Sequence, residues 1–469
     1  MNCRRSLIEA ALLTWSGCLL SILFVFGVYL PRSMAVILLL GLASWGMFTA
    51  RVNKFALLQR LVIFIYSLPF IVTLGYLLDS GYLWASTPAR IVLIQDDLII
   101  LQMLAIGLVG LVGLLAGMKV AEVALGQHEW AGSASRQLMG ASARPLSRGA
   151  FIGFVAASVL LVWLGSGATS TIFESAYRGS VGAAETVNFN AASLLANVII
   201  ILLFIDAERF TSSGHKTRLL LVVGLAILEV SFELLRGNRD SFGLIVALMA
   251  LYVTGSVVSK LQLGFLQDWR RARRLVIPAV GVAAAFILIG ALRGLLTSPD
   301  LLANSSGVLR IALLENTWTA ILHSNLGLAS LYSSGSMDYL LGETYVDYIL
   351  SIPPGFLTQL FDITRPIEAD RGPAWWFVGI TGGGIHAVVV PFRNFGIFGA
   401  MMILAVFGAL VTWMDAPNKT LGRRFLFGVA VAASFKWLWY GDMTLIRAMM
   451  AALLVWISYR ICTAPRRQS

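Results

Sequence analysis

Long apolar runs alternate with short polar turns along almost the whole chain, and twelve of these runs approach the length of a bilayer crossing. A hydrocarbon core about 30 Å thick requires about 20 apolar residues in helical form. The runs lie at residues 10–30, 33–50, 61–78, 98–118, 150–167, 191–206, 219–235, 241–258, 275–292, 394–413, 425–439 and 443–461, and the pattern predicts a helix over each. The first follows Met1-Asn2-Cys3-Arg4-Arg5, a basic start like that of a signal peptide. Its apolar run is long, however, and Tyr29-Leu30-Pro31-Arg32 lacks the small residues of a cleavage site, so it reads as an uncleaved first span.

The longest hydrophilic connection, residues 293–393, separates the ninth and tenth runs. It holds Pro299, Pro353, Pro354, Pro366 and Pro373 of the chain's 13 prolines, together with the pair Trp375-Trp376. It is too rich in Leu, Ile, Trp and Tyr for a disordered linker. Within it, 308–335 and 340–361 read as amphipathic helices too polar to span, either lying on the bilayer surface or capping the bundle. The basic stretch 119–148 reads as a flexible connection. The expected organisation is a bundle of nine spans at 1–292, an external loop at 293–393, and spans ten to twelve with a tail at 394–469.

Composition supports this pattern and excludes a soluble enzyme. Of the 469 residues 58% are apolar and 13% charged, with mean hydropathy +0.82, against roughly 45–50% apolar and about 25% charged in soluble domains. The predicted fold class is an all-α polytopic integral membrane protein of about twelve transmembrane helices, with one long external, periplasmic loop containing amphipathic helices. A net charge of +11 would suggest nucleic acid in a soluble chain. Here, placing the N-terminus in the cytoplasm puts 23 of the 35 lysines and arginines on the cytoplasmic side, so topology accounts for the excess and no nucleic-acid partner is expected. Cys3, Cys18 and Cys462 have neither a metal-ligand spacing nor a disulfide pattern, and neither a metal nor a cofactor is expected.

All eleven cations assigned to the external side are arginines. Codon usage is one explanation; the other is that the forked guanidinium suits phosphate or pyrophosphate. Two clusters concentrate this chemistry. At the external end of the seventh run, Glu229, Glu233, Arg236 and Asp240 share a helical face, with Arg239 beside them. Either Glu233 and Arg236 form an ion pair that fixes packing, or Arg236 and Arg239 hold an anion and the glutamates position them. The second cluster runs Thr381-Gly382-Gly383-Gly384-Ile385-His386 and on to Arg393-Asn394-Phe395-Gly396. His386 and Arg393 are seven apart, two turns if helical, which would face both to one cavity. His386 either acts directly or is a hydrogen-bonded structural residue. The loop from 293 to 384 carries four arginines against eight acids and is no simple polyanion trap. Lys436 either snorkels to an interface or faces the cavity.

In their order, Arg236-Gly237-Asn238-Arg239 closing a span, then Leu341-Gly342-Glu343-Thr344-Tyr345-Val346-Asp347-Tyr348 running to Ile352-Pro353, then the Gly-rich stretch and Arg393-Asn394-Phe395-Gly396-Ile397-Phe398-Gly399, the chain resembles the Wzy-type O-antigen (oligosaccharide repeat-unit) polymerases. Pro354-Gly355 stands where that family's pattern has a basic residue after Ile-Pro, a charge that Arg365 or Arg371 would supply instead. The resemblance implies a metal-independent glycosyltransferase of the bacterial inner membrane, with both termini cytoplasmic. It would transfer a growing glycan from undecaprenyl pyrophosphate to a new lipid-linked repeat unit at the periplasmic face. Arg236, Arg239, Arg293, Arg365, Arg371 and Arg393 become candidates for the pyrophosphate, and His386, Glu233 and Glu343 for taking the acceptor proton. The implied partners are the undecaprenyl-pyrophosphate-linked oligosaccharide, membrane lipids, a chain-length regulator and other polysaccharide assembly proteins. An O-antigen ligase, a lipid-linked oligosaccharide flippase and a structural subunit of the assembly machinery are the rival readings.

Overall fold

The computed structural model describes residues 2–50, 56–78, 97–129, 145–165, 183–209, 215–235, 242–260, 318–350, 385–416, 420–440 and 443–463. Among the described residues there are thirteen helices and no strand: α1 (Asn2–Val25), α2 (Arg32–Thr49), α3 (Leu57–Leu78), α4 (Asp97–Glu129), α5 (Arg148–Gly165), α6 (Ala183–Arg209), α7 (His215–Leu235), α8 (Phe242–Lys260), α9 (Trp318–Ser333), α10 (Glu343–Leu350), α11 (Val389–Asp415), α12 (Leu421–Tyr440) and α13 (Met443–Thr463). An apolar segment in lipid has to bond its backbone internally, which makes the helix the default. Among the described residues, five stretches are long and apolar enough to cross a membrane: Arg5–Val25, Arg32–Thr49, Asp97–Leu125, Val389–Asp415 and Thr444–Thr463. Eleven of the twelve apolar runs fall on helices; the ninth, 275–292, lies outside the described residues, as does most of the 293–393 connection.

The chain divides into two compact units that are not continuous in sequence. The first comprises 1–135, 313–418 and 434–445, so the described part of the 293–393 connection belongs to the same unit as α1–α4. Helix α4 is its hub, packing on α1, α2, α9 and above all α11. Glycines make that last contact close. A Cβ on Gly117 would lie 1.8 Å from the Ala405 carbonyl oxygen, and one on Gly408 would lie 2.1 Å from that of Leu114. Gly113 and Gly117, four apart on α4, thus bring two backbones into direct contact, the use of small residues typical of membrane helices. The other side of α11 presents Phe398, Met402, Val406, Leu410 and Trp413 outward, spaced by three and four residues, as one exposed apolar stripe of the kind a membrane-crossing helix turns to lipid.

Of the two arrangements expected for the segment 308–335, lying on the bilayer surface or capping the bundle, α9 is not a surface element: it packs against α3 and α4, burying Ser324, Asn325, Leu326, Leu328 and Ala329. The other expected amphipathic element is a helix of eight residues, α10, over Glu343–Leu350.

The second unit comprises 136–312, 419–433 and 446–469. A buried polar knot ties its elements together. The fully buried Asp206 carboxylate accepts the Leu146 N–H at 3.0 Å, the Tyr459 hydroxyl at 3.1 Å and Arg218 Nη1 at 3.2 Å. Arg218 also donates to the Leu146 carbonyl at 3.1 Å and stacks over Phe151, while Arg209 donates to the Tyr459 hydroxyl at 3.2 Å. The knot joins the residues preceding α5 to α6, α7 and α13, with each buried charge paired and hydrogen-bonded.

Candidate functional site

Pro69 shapes the environment of His386. Placed inside α3, it has no N–H to offer the Ile65 carbonyl one turn back. That carbonyl instead accepts the indole N–H of Trp439 at 3.0 Å, and the next one, of Tyr66, accepts His386 Nε2 at 2.9 Å. The end of α12 is completed by the same segment: Ile385 N–H donates to the Trp439 carbonyl at 2.7 Å, and Ala387 N–H to that of Leu438 at 2.9 Å. These carbonyls belong to a helix's last turn, which has no intrahelical donors. His386 is fully buried between Tyr66 and Phe70; its backbone N–H donates to Ser324 Oγ at 3.1 Å, and the Val388 N–H points at Nδ1 from 3.5 Å. With Nε2 donating, Nδ1 is left as the acceptor, so the ring is the neutral Nε2–H tautomer and both nitrogens face backbone groups. Burial pushes its pKa down to about 4, against the opposing pull of the Tyr66 carbonyl. This is the structural alternative for His386, and the geometry leaves it no nitrogen to offer a substrate.

The expected two-turn relation between His386 and Arg393 also needs correction. Helix α11 begins at Val389, so His386 lies in a buried turn before it, and the two residues do not share a helical face. Amides 385 and 387 are instead bound to the end of α12.

Arg393 belongs to a different assembly, in which the two segments quoted for the family resemblance meet. The Leu340 N–H donates to the Arg393 carbonyl at 3.2 Å, the Leu341 N–H to that of Asn394 at 3.0 Å, and the Gly342 N–H to Asn394 Oδ1 at 3.1 Å. Asn394 Nδ2 donates back to Val390 at 2.9 Å. Three consecutive amides are thereby fixed on residues more than fifty positions away. The turn they form is tight, with φ of +47° at Leu341 and +97° at Gly342. A leucine in the left-handed region costs about 1–2 kcal/mol, so these bonds hold a conformation the residue would not choose. Gly396 interrupts α11 with φ +69° and ψ −164°, and Tyr339 covers it closely. The Tyr345 ring stacks on Phe395, with centroids 6.1 Å apart and planes 9° from parallel. Arg393 is half-buried beside this turn under the influence of the Asp338 charge, and Glu343 is exposed in the first turn of α10.

Glu229 and Glu233 share one face of α7, and both are buried. Glu229 accepts the Ser193 hydroxyl of α6 at 2.5 Å. Arg236 and Arg239 lie outside the described residues, and so do Arg293, Arg365 and Arg371, so of the six candidate arginines only Arg393 is placed. Of the candidate proton acceptors, Glu343 stands in the docked turn with Arg393, whereas Glu233 belongs to the second unit. Asn394 and Ser193 were not singled out from the sequence. Asn394 was legible only as part of the Arg-Asn-Phe-Gly string, and Ser193 carries no sequence signal. Among the described residues, no three His, Cys, Asp or Glu side chains come together to hold a metal. No protein-family model matches the chain, and no curated protein or solved structure matches it.

Proposed function

We propose that this protein is a polymerase of lipid-linked oligosaccharide repeat units, working at the periplasmic face of a bacterial inner membrane through about twelve spans with both termini cytoplasmic. The observation that carries the reading is the docking of Leu340, Leu341 and Gly342 onto Arg393 and Asn394. The two segments whose order resembles the polymerase family are thereby physical neighbours. In the reaction, the acceptor hydroxyl oxygen bonds to the anomeric carbon of the donor glycan, and the bond from that carbon to the pyrophosphate oxygen breaks. The hydroxyl proton passes to a carboxylate, for which Glu343 is our candidate. Arg393, with Arg236, Arg239, Arg293, Arg365 and Arg371 as further candidates, stabilises the charge growing on the leaving undecaprenyl pyrophosphate. His386 is left out of the chemistry and serves to fix the segment that leads into α11.

The test is deletion of the gene followed by analysis of surface glycan length. A polymerase defect leaves lipid capped with a single repeat unit. Loss of every repeat unit would favour a ligase or a flippase, and a normal ladder of lengths would reject all three.

A further inference from the structure

The first turn of helix α10 buries a polar residue and exposes an apolar one. Thr344 is buried, at 8% exposure, whereas Val346, two positions on and more than half a turn around, is 56% exposed. A helix packed on a protein in water turns its apolar side inward. Just before it, Leu341 is 81% exposed at the tip of a turn fixed by three backbone amides and a left-handed φ, so the leucine is a rigid projection rather than a loose one. The patch has a neighbour that identifies what covers it. The Phe395 ring lies against Gly342 and stacks on Tyr345, and both Phe395 and Phe398 are more than two-fifths exposed at the start of the apolar stripe of α11. That stripe continues through Met402 and Val406 along a helix long and apolar enough to cross the membrane. Leu341 and Val346 therefore lie beside the first turns of that helix, where 340–342 dock on Arg393 and Asn394, as an addition to its apolar stripe, with the exposed acids Asp338 and Glu343 close to them in sequence.

We propose that Leu341 and Val346 insert among the acyl chains of bilayer lipid at the membrane boundary, making 338–350 an interfacial anchor that fixes the end of α11 at the membrane surface. Apolar burial at the headgroup boundary, with the carboxylates left in water, is the physical basis of such anchoring. The inference stands independently of the enzymatic reading.

The experiment uses the full chain in lipid nanodiscs, with Cys3, Cys18 and Cys462 replaced by alanine and a nitroxide attached in turn at Leu341→Cys, Val346→Cys, Phe398→Cys and Ser334→Cys. Collision with dissolved oxygen, which partitions into lipid, is compared with collision with a water-soluble nickel chelate. The expected result is that positions 341 and 346 behave like 398, with oxygen dominant, while 334 is dominated by the chelate. Chelate dominance at both 341 and 346 would overturn the proposal. Shielding from both reagents would also overturn it, because a protein surface, from a partner or a second copy, would then cover the patch. Both side chains project from the protein, so neither cysteine disturbs packing, and each position tests the proposal separately.

Discussion

Asn394 Oδ1 accepts the Gly342 N–H at 3.1 Å, and this one side chain joins the loop before α10 to the start of α11. Its amide nitrogen is anchored on Val390 at 2.9 Å, so both ends of the group are engaged. Asn394→Ala removes both bonds and leaves the Gly342 amide unpaired, at a cost of about 1–3 kcal/mol. The turn at Leu341 then loses one of the three bonds that hold it against its backbone preference. The expected outcome is a lower unfolding temperature in detergent and, under the proposed function, shorter glycans. Thermal unfolding followed by size-exclusion chromatography measures the first, and electrophoresis of surface lipid the second.

Trp439 and Pro69 form a compensating pair across 370 positions. Trp439→Phe removes the indole donor from the Ile65 carbonyl that Pro69 cannot reach. It should destabilise by about 1–3 kcal/mol. Pro69→Ala restores a helical N–H to the same carbonyl, so the double variant should be less destabilised than the sum of the single changes. Additive losses in a double-mutant cycle would refute the coupling.

His386 offers a pH test with a definite sign. Its folded pKa is near 4, against an ordinary 6.5, so between those values the unfolded chain holds the extra proton. Stability is full above pH 6.5 and declines as pH falls towards 4. His386→Gln retains a donor for the Tyr66 carbonyl and has no proton to gain. The variant should therefore be expressed normally, keep its activity, and lose less stability than the native protein over that window. Thermal unfolding scans at stepped pH check this, and loss of activity in a well-folded Gln variant would return His386 to the chemistry.

These comparisons mark what could and could not be read from the chain. Apolar length located the helices, because lipid leaves a spanning backbone no other way to satisfy itself. It left open whether α9 lies on the surface or caps the bundle, because Ser324 and Asn325 look like a wet face; Ser324 is buried and accepts the His386 N–H. The family-like strings at 341–348 and 393–399 were legible as strings. Their mutual docking was not, because it runs through backbone amides and carbonyls that every sequence possesses. For His386 the sequence left both roles open: spacing implies a shared face only when the residues between are helical, and α11 begins only at Val389.

In the second unit, Asp206 and Arg218 are both buried, and removing either alone strands a charge. Arg218→Met or Asp206→Leu should each cost about 3–5 kcal/mol, and the pair together less than either. Protein yield and unfolding temperature of the three variants would test this. A double variant worse than both singles would mean that the remaining partners, Tyr459 and Leu146, need the charge more than they need each other.

Arg393 is where packing and chemistry make opposite predictions. If it grips pyrophosphate with its fork, Arg393→Lys keeps the charge but loses the bidentate geometry, so glycan length should fall sharply at unchanged protein abundance. If its role is only to balance Asp338, then lysine suffices, and Asp338→Asn should matter as much as any change at 393. The backbone carbonyl of Arg393, which accepts Leu340, is retained in every variant, so the turn itself is preserved. The proposed chemistry predicts short glycans for Arg393→Lys and near-normal glycans for Asp338→Asn. Full-length polymer from the lysine variant, measured at equal protein level, would reject the guanidinium clamp at this position.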